Sequence, residues 1–171
     1  EDVVKVDLKK SKINKVTIKF RYKIRVKNEG NIAGYAKELK DYIPNGLKFV
    51  PEDNPLWKQI DEKTITTDQT KDILLQPGDT TEVEGVLTWI NDSENFGVMD
   101  NWAEISKDHN DFNSPDIDST PDNNKKGEDD IDDAPVSVGV QTGQIKTFTK
   151  IGLAVLVILS SGVVLIKKFV L

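Results

Sequence analysis

The sequence predicts an all-β chain, an antiparallel sandwich or barrel, followed by a single C-terminal transmembrane helix. Three observations carry that prediction: a faultless apolar/charged alternation over residues 16–27, a series of short apolar runs each closed by turn residues, and an uncharged run over 151–166. In the first, Val16, Ile18, Phe20, Tyr22, Ile24 and Val26 fall on one face and Thr17, Lys19, Arg21, Lys23, Arg25 and Lys27 on the other. Side chains alternate across a strand, so this is a long strand with one buried and one wet face. Asn28-Glu29-Gly30-Asn31 reads as the turn that ends it. Residues 36–43 stop at Pro44-Asn45-Gly46, and 47–50 stop at Pro51. The runs 56–60 and 64–67 flank Asp61-Glu62-Lys63 as a hairpin, and 73–75 end at Pro77-Gly78. Thr81, Val83, Gly85, Leu87 and Trp89 alternate again, as do Val136, Val138 and Val140. No convincing helical period occurs before residue 145. Short strands at this spacing give a sandwich or barrel, with Ile18, Phe20, Tyr22, Ile24, Val83, Leu87 and Trp89 expected in one core.

The C-terminal run IGLAVLVILSSGVVLI, residues 151–166, precedes Lys167 and Lys168. It offers no polar face to water, and at ~1.5 Å per residue it spans ~24 Å as a helix, short of a ~30 Å hydrocarbon core. Phe148, Thr149 and snorkelling of the two lysines make up the difference. The lysine pair stays in the cytoplasm by the positive-inside rule, which places the remainder outside. That topology requires a signal peptide, and the chain opens at Glu1 without one, so sequence upstream of Glu1, including further domains, is expected.

About 145 residues outside the anchor suffice for one domain with its own core. There are no cysteines, so no disulfide or thiol chemistry is available. The formal net charge of −6 conceals a segregation. Residues 1–27 carry ten Lys or Arg against three acids, and residues 107–133 carry ten acids against three lysines. The expected organisation is a sandwich core over 1–106, an acidic loop or linker over 107–133 and a final strand over 134–140. A polar spacer over 141–150 and the anchor with its basic tail over 151–171 follow. The acidic stretch is poor in apolar residues and reads as unable to form a packed element unaided.

The ordered blocks Tyr22-Lys-Ile24-Arg-Val26-Lys-Asn28-Glu-Gly30, Asp41-Tyr-Ile43-Pro44-Asn-Gly46-Leu47-Lys-Phe49-Val50, Leu75-Gln-Pro77-Gly78 and Asn101-Trp-Ala103-Glu-Ile105 resemble a known family. It is the conserved-repeat domain of bacterial cell-surface proteins, catalogued as domain of unknown function eleven, and the likeness covers roughly residues 16–106. The resemblance implies an immunoglobulin-like sandwich on the surface of a bacterium, Gram-positive by preference, and no catalytic residues. Trp102 departs from it, where the family usually has a small polar residue.

Enzyme chemistry lacks its parts. The one histidine, His109, has no Cys and no glycine-elbow serine to complete a triad or zinc site. The acidic stretch is the candidate ligand site. Calcium takes six to eight oxygens from closely spaced carboxylates and carbonyls, and Asp108, Asp111, Asp116, Asp118, Asp122, Glu128 and Asp130 offer them. A solvated acidic linker is the competing reading. Asp122-Asn123-Asn124-Lys125-Lys126-Gly127 fits a helix-loop-helix calcium loop only at its first, third and glycine positions, so that motif is rejected. For the basic stripe Lys19, Arg21, Lys23, Arg25 and Lys27, the partners considered are anionic wall polymers, nucleic acid and the chain's own acidic stretch. Nucleic acid fails on location and total charge, and a lysine-rich face that discourages aggregation is the plain alternative. A cross-link at Asn101 would need a buried lysine, whereas the strand lysines alternate onto the wet face. Gln141-Thr142-Gly143 with the apolar run and basic tail resembles a degenerate sortase sorting signal, Gly139-Val140 standing where Leu-Pro is usual. A plain stop-transfer helix competes with it. These readings leave a non-enzymatic, membrane-anchored spacer displaying upstream domains, or an adhesin-type module for wall polymers or host surface ligands.

Overall fold

A computed structural model of the 171-residue chain describes residues 3–10, 16–114, 119–141 and 153–158. Among these residues ten strands run in the order β1 (Val4–Lys9), β2 (Lys19–Lys27), β3 (Tyr35–Tyr42), β4 (Leu47–Phe49), β5 (Lys58–Gln59), β6 (Thr64–Thr67), β7 (Thr80–Trp89), β8 (Gly97–His109), β9 (Ile131–Gln141) and β10 (Leu153–Ile158). They form a larger sheet ordered β1-β9-β8-β3-β6-β5 and a smaller one ordered β10-β2-β7-β4. Pairing is antiparallel except for β1 with β9 and β10 with β2. Among the described residues there is no α-helix; Pro51–Asp53 and Ser93–Asn95 are short 3-10 turns.

The core lies between the sheets. Phe20, Tyr22, Ile24 and Val26 of β2 are buried to 1% exposure or less, and they join Val83, Leu87, Trp89, Leu39, Ile105, Val136 and Val138 in one cluster. All seven residues expected in one core are there. Alternation fixes the phase of β2, and pairing of Tyr22 with Gly85 fixes its register on β7. Gly85 lies under the indole of Trp57, whose ring atoms would be in ordinary van der Waals contact, 3.5 Å, with an added Cβ. Trp57 donates Nε1–H to the carbonyl of Glu84 at 2.7 Å.

The turn signals hold for a physical reason beyond local preference. Asn28 is buried, and its Nδ2 donates to the carbonyls of Ile32 and Leu75, both at 2.8 Å. Its side chain thereby stitches two loops that the strand order alone would leave apart. Gly46 sits at φ 90°, where a Cβ would come 2.7 Å from Met99 Sδ.

Three boundaries differ from expectation. The N-terminal segment, not singled out as a strand in the sequence, forms β1 beside β9, with Val6 and Leu8 in the core. The strand expected over 134–140 begins at Ile131, because Ala103 and Glu104 of β8 pair with Asp132 and Ile131. Leu153–Ile158, expected in a membrane helix, is a strand lying parallel to β2 with Val155 opposite Lys23. Its residues are rich in branched apolar types that suit a strand as well as a membrane helix, and it satisfies the open backbone edge of β2. The rest of 142–171 lies outside the described residues. No helix among those described is long and apolar enough to cross a membrane.

Candidate functional site

Two charged surfaces stand out, one on each sheet. On the smaller sheet, the outward side chains of β2 form the basic stripe. Each finds an acid: Lys19 Nζ lies 2.7 Å from Asp53, Arg21 2.8 Å from Glu84, Lys23 3.0 Å and Arg25 2.6 Å from Glu82, and Lys27 2.6 Å from Glu29. Glu82 and Glu84 face these cations because β7 alternates in register with β2, Arg25 opposite Glu82 and Lys23 opposite Glu84. Burial would raise the Glu82 carboxyl, but hydrogen bonds and charge from Lys23 and Arg25 outweigh it and hold the group below its usual value. The stripe's partners are therefore the glutamates of the next strand, Asp53 and Glu29.

The larger sheet carries the acidic segment. Leu39, Asp41, Ala103 and Ile105 point inward, so Lys40, Tyr42, Trp102 and Glu104 stand on the outer side of β3 and β8. Residues 119–130 cross that side and bind to it. Lys40 Nζ pairs with the Asp122 carboxylate. The Asn124 N–H donates to Glu104 Oε2 at 3.0 Å, and the Tyr42 hydroxyl donates to Glu104 Oε1. Lys126 Nζ sits 4.1 Å above the Trp102 ring. The loop is closed on itself by Glu128, which accepts from Lys125 Nζ at 2.5 Å, Asn123 Nδ2 at 2.8 Å and the Thr120 N–H at 3.0 Å. Asp122 and Asn124 adopt left-handed backbone at φ 65° and 50°, a conformation that Asn and Asp tolerate best among residues with a side chain. Glu104 is thus fully buried on what would otherwise be a solvent face. The Tyr42 phenol is pushed up by burial, by its bond to Glu104, and by the charges of Glu104, Asp122 and Asp130.

Residues 119–130, in the stretch read as unable to form a packed element unaided, pack with the help of β3 and β8. Net charge concealed the anchors, since Asn, Lys and backbone N–H groups do the holding. Trp102 is the platform for Lys126.

Of the expected calcium ligands, the five that are described take separate places. Asp108 is exposed at the end of β8, opposite Ala36. Asp111 faces His109 Nε2 at 3.4 Å, Asp122 faces Lys40, and Glu128 closes its own loop. Asp130 is fully buried where β9 begins, its carbonyl accepting from the Ile105 N–H at 2.9 Å. Asp116 and Asp118 lie outside the described residues. Among those described, no three His, Cys, Asp or Glu side chains form a group that could hold a metal ion. Of the sorting-signal residues, Gln141 ends β9 opposite Lys9, and Thr142 and Gly143 lie outside the described residues.

Asn101 is buried in the core beside a carboxyl: its Nδ2 donates to Asp41 Oδ2 at 2.6 Å. Sequence reasoning missed Asp41, although its place in the inward phase with Leu39 and Ile43 was a readable signal. A separate open cleft of about 360 Å³ is lined by Pro55, Leu56, Lys58, Asp68, Gln69 and Lys71, with Leu56 largely exposed at its rim.

Compared with family models, curated proteins and solved structures, the chain matches none.

Proposed function

We propose that the chain is a non-enzymatic module of a bacterial surface, an immunoglobulin-like spacer that holds upstream domains away from the membrane. The observation that carries this reading is how both outer faces are closed internally. The cations of β2 are matched to acids of the same chain, and the acidic segment is bound down on β3 and β8. A spacer benefits from faces that are already satisfied, because they neither swell nor recruit counter-charged partners.

The anchor is residues 151–171. In a bilayer the backbone of this segment must satisfy its own hydrogen bonds, which only a helix or closed barrel does, so 153–158 leave β2 when the run enters the membrane. Deleting 151–171 turns a cell-associated protein into a secreted one. Retention of the truncated protein on cells after a salt wash overturns the anchor. Replacing Thr142 and Gly143 separates the two routes of attachment. A sortase-linked protein loses its wall fraction on that change, and a stop-transfer anchor does not.

The cleft bounded by Leu56 and Lys71 favours a second reading, a binding module for wall polymers or host ligands. Its apolar rim with Lys58, Lys71 and Asp68 suits a small amphipathic group. Loss of binding to purified wall polymer on Leu56→Asp, with the fold intact, supports the adhesin reading. Equal binding by both proteins removes it.

A further inference from the structure

Three polar side chains from the two sheets share the middle of the core. Tyr22 comes from β2, Asp41 from β3 and Asn101 from β8, and they are 1%, 3% and 0% exposed. The Asn101 amide donates to Asp41 Oδ2 at 2.6 Å. The other oxygens of the cluster, Asp41 Oδ1, Asn101 Oδ1 and Tyr22 Oη, have no hydrogen-bond partner. An ionised Asp41 would leave two acceptors on groups already joined, with the one Tyr22 hydroxyl as the remaining donor. A buried acceptor left unpaired is costly, and a buried carboxylate without a cation more so. Along the sheet Asp41 pairs with Ala103 and Ile65, which supply neither charge nor a side-chain donor. The titratable groups around the cluster are the Tyr22 phenol from the opposite sheet, neutral and with one proton to donate, and Asp100 of β8, whose negative charge acts on that phenol. No cationic side chain contributes to the Asp41 equilibrium among the described residues.

We propose that Asp41 is held in the core as the neutral acid, its proton on Oδ1 donated to Asn101 Oδ1, and that this acid–amide pair is a pH-sensitive clamp on the sandwich. One proton satisfies both orphaned oxygens of the pair and removes the buried charge. Burial, opposed by the Asn101 hydrogen bond, pushes the Asp41 carboxyl from 3.8 up to about 7, in keeping with that arrangement. The sign follows from linkage. The folded state holds the proton more tightly than the unfolded state, so the clamp's stability is fully present below 3.8 and is lost as pH rises through about 7. Within that window the unfolding equilibrium loses roughly tenfold in favour of the folded state per pH unit. The module is therefore tightest in a mildly acidic medium, independently of whether its tail is an anchor.

The test is chemical denaturation of the full chain in mild detergent across that window, for the parent and for Asp41→Asn. Asn at this position cannot ionise, and its own amide donates to Asn101 Oδ1 at every pH. The parent is expected to lose stability by a hundredfold or more on going from pH 4 to pH 7, and the variant to lose far less. The same slope in both proteins overturns the proposal. Should Asp41→Asn not fold, carbon NMR of the Asp41 carboxyl in the parent decides alone. A midpoint near 7 supports the clamp, and a midpoint in the ordinary carboxylate range refutes it.

Discussion

On the outer face of β2 the cations stand within 3.0 Å of acids while both partners remain in contact with water. On the outer face of β8 the carboxylate of Glu104 is fully buried beneath a loop. The first was neutralised by a neighbouring strand in register, at the cost of little desolvation, so its ion pairs contribute little and respond to salt. The second was covered, so its hydrogen bonds stand in a low-dielectric site where a lost partner is expensive. The same kind of charge therefore matters very differently on the two sides of the sandwich.

The largest effect is expected at the boundary between face and core. Phe20→Ala should lower stability by about 3–5 kcal/mol, while Lys23→Ala, three residues along the same strand and pointing outward, should cost under about 0.5 kcal/mol. Urea denaturation reads both, and equal costs would break the assigned phase of β2.

Next comes Glu104→Ala, which strands the Tyr42 hydroxyl and the Asn124 N–H together. A loss of about 2–3 kcal/mol is expected, accompanied by faster amide exchange across 119–130. Unchanged exchange there would mean that Glu104 does not hold the loop.

Lys126→Ala removes the cation over Trp102 and should cost about 0.5–1 kcal/mol, with a blue or red shift in Trp102 fluorescence confirming the site. Smaller still is Glu82→Gln, which leaves Lys23 and Arg25 without their shared partner. It should cost about 0.2–1 kcal/mol at low ionic strength and nothing measurable in high salt. A salt-insensitive loss would show that the β2 face is not a wet one.

Calcium gives the finest comparison. If 107–133 binds it, millimolar calcium raises the melting temperature more than sodium at matched ionic strength, and Asp116→Asn with Asp118→Asn abolishes the difference. A melting point indifferent to calcium leaves the loop held by its own hydrogen bonds alone.

The strands were largely legible because alternation is a local property. Whether Phe20 or Lys23 faces inward is settled by period two, and Pro44-Asn45-Gly46 or Pro77-Gly78 must turn wherever they stand. The pairing of β1 with β9 was not legible, since it joins residues more than a hundred apart in the chain. Within the candidate sites, the stripe on β2 was visible and its partners were not: Glu82 and Glu84 became partners only when β7 took its register. Asn101 was visible and Asp41 was overlooked, because a carboxyl in the inward phase of a strand looks like an error until a buried amide is placed beside it.

By itself, then, the sequence determined an all-β chain, the phase of its long strands, and the segregation of positive and negative charge. It also determined an uncharged, apolar C-terminal run. Tertiary structure decided which charges meet, that an acidic loop packs, and that a polar pair sits in the core. The physical reason is range. Alternation and turn chemistry act over a few bonds, whereas ion pairs, buried hydrogen bonds and the protonation of Asp41 depend on a dielectric environment that exists only after distant strands have come together.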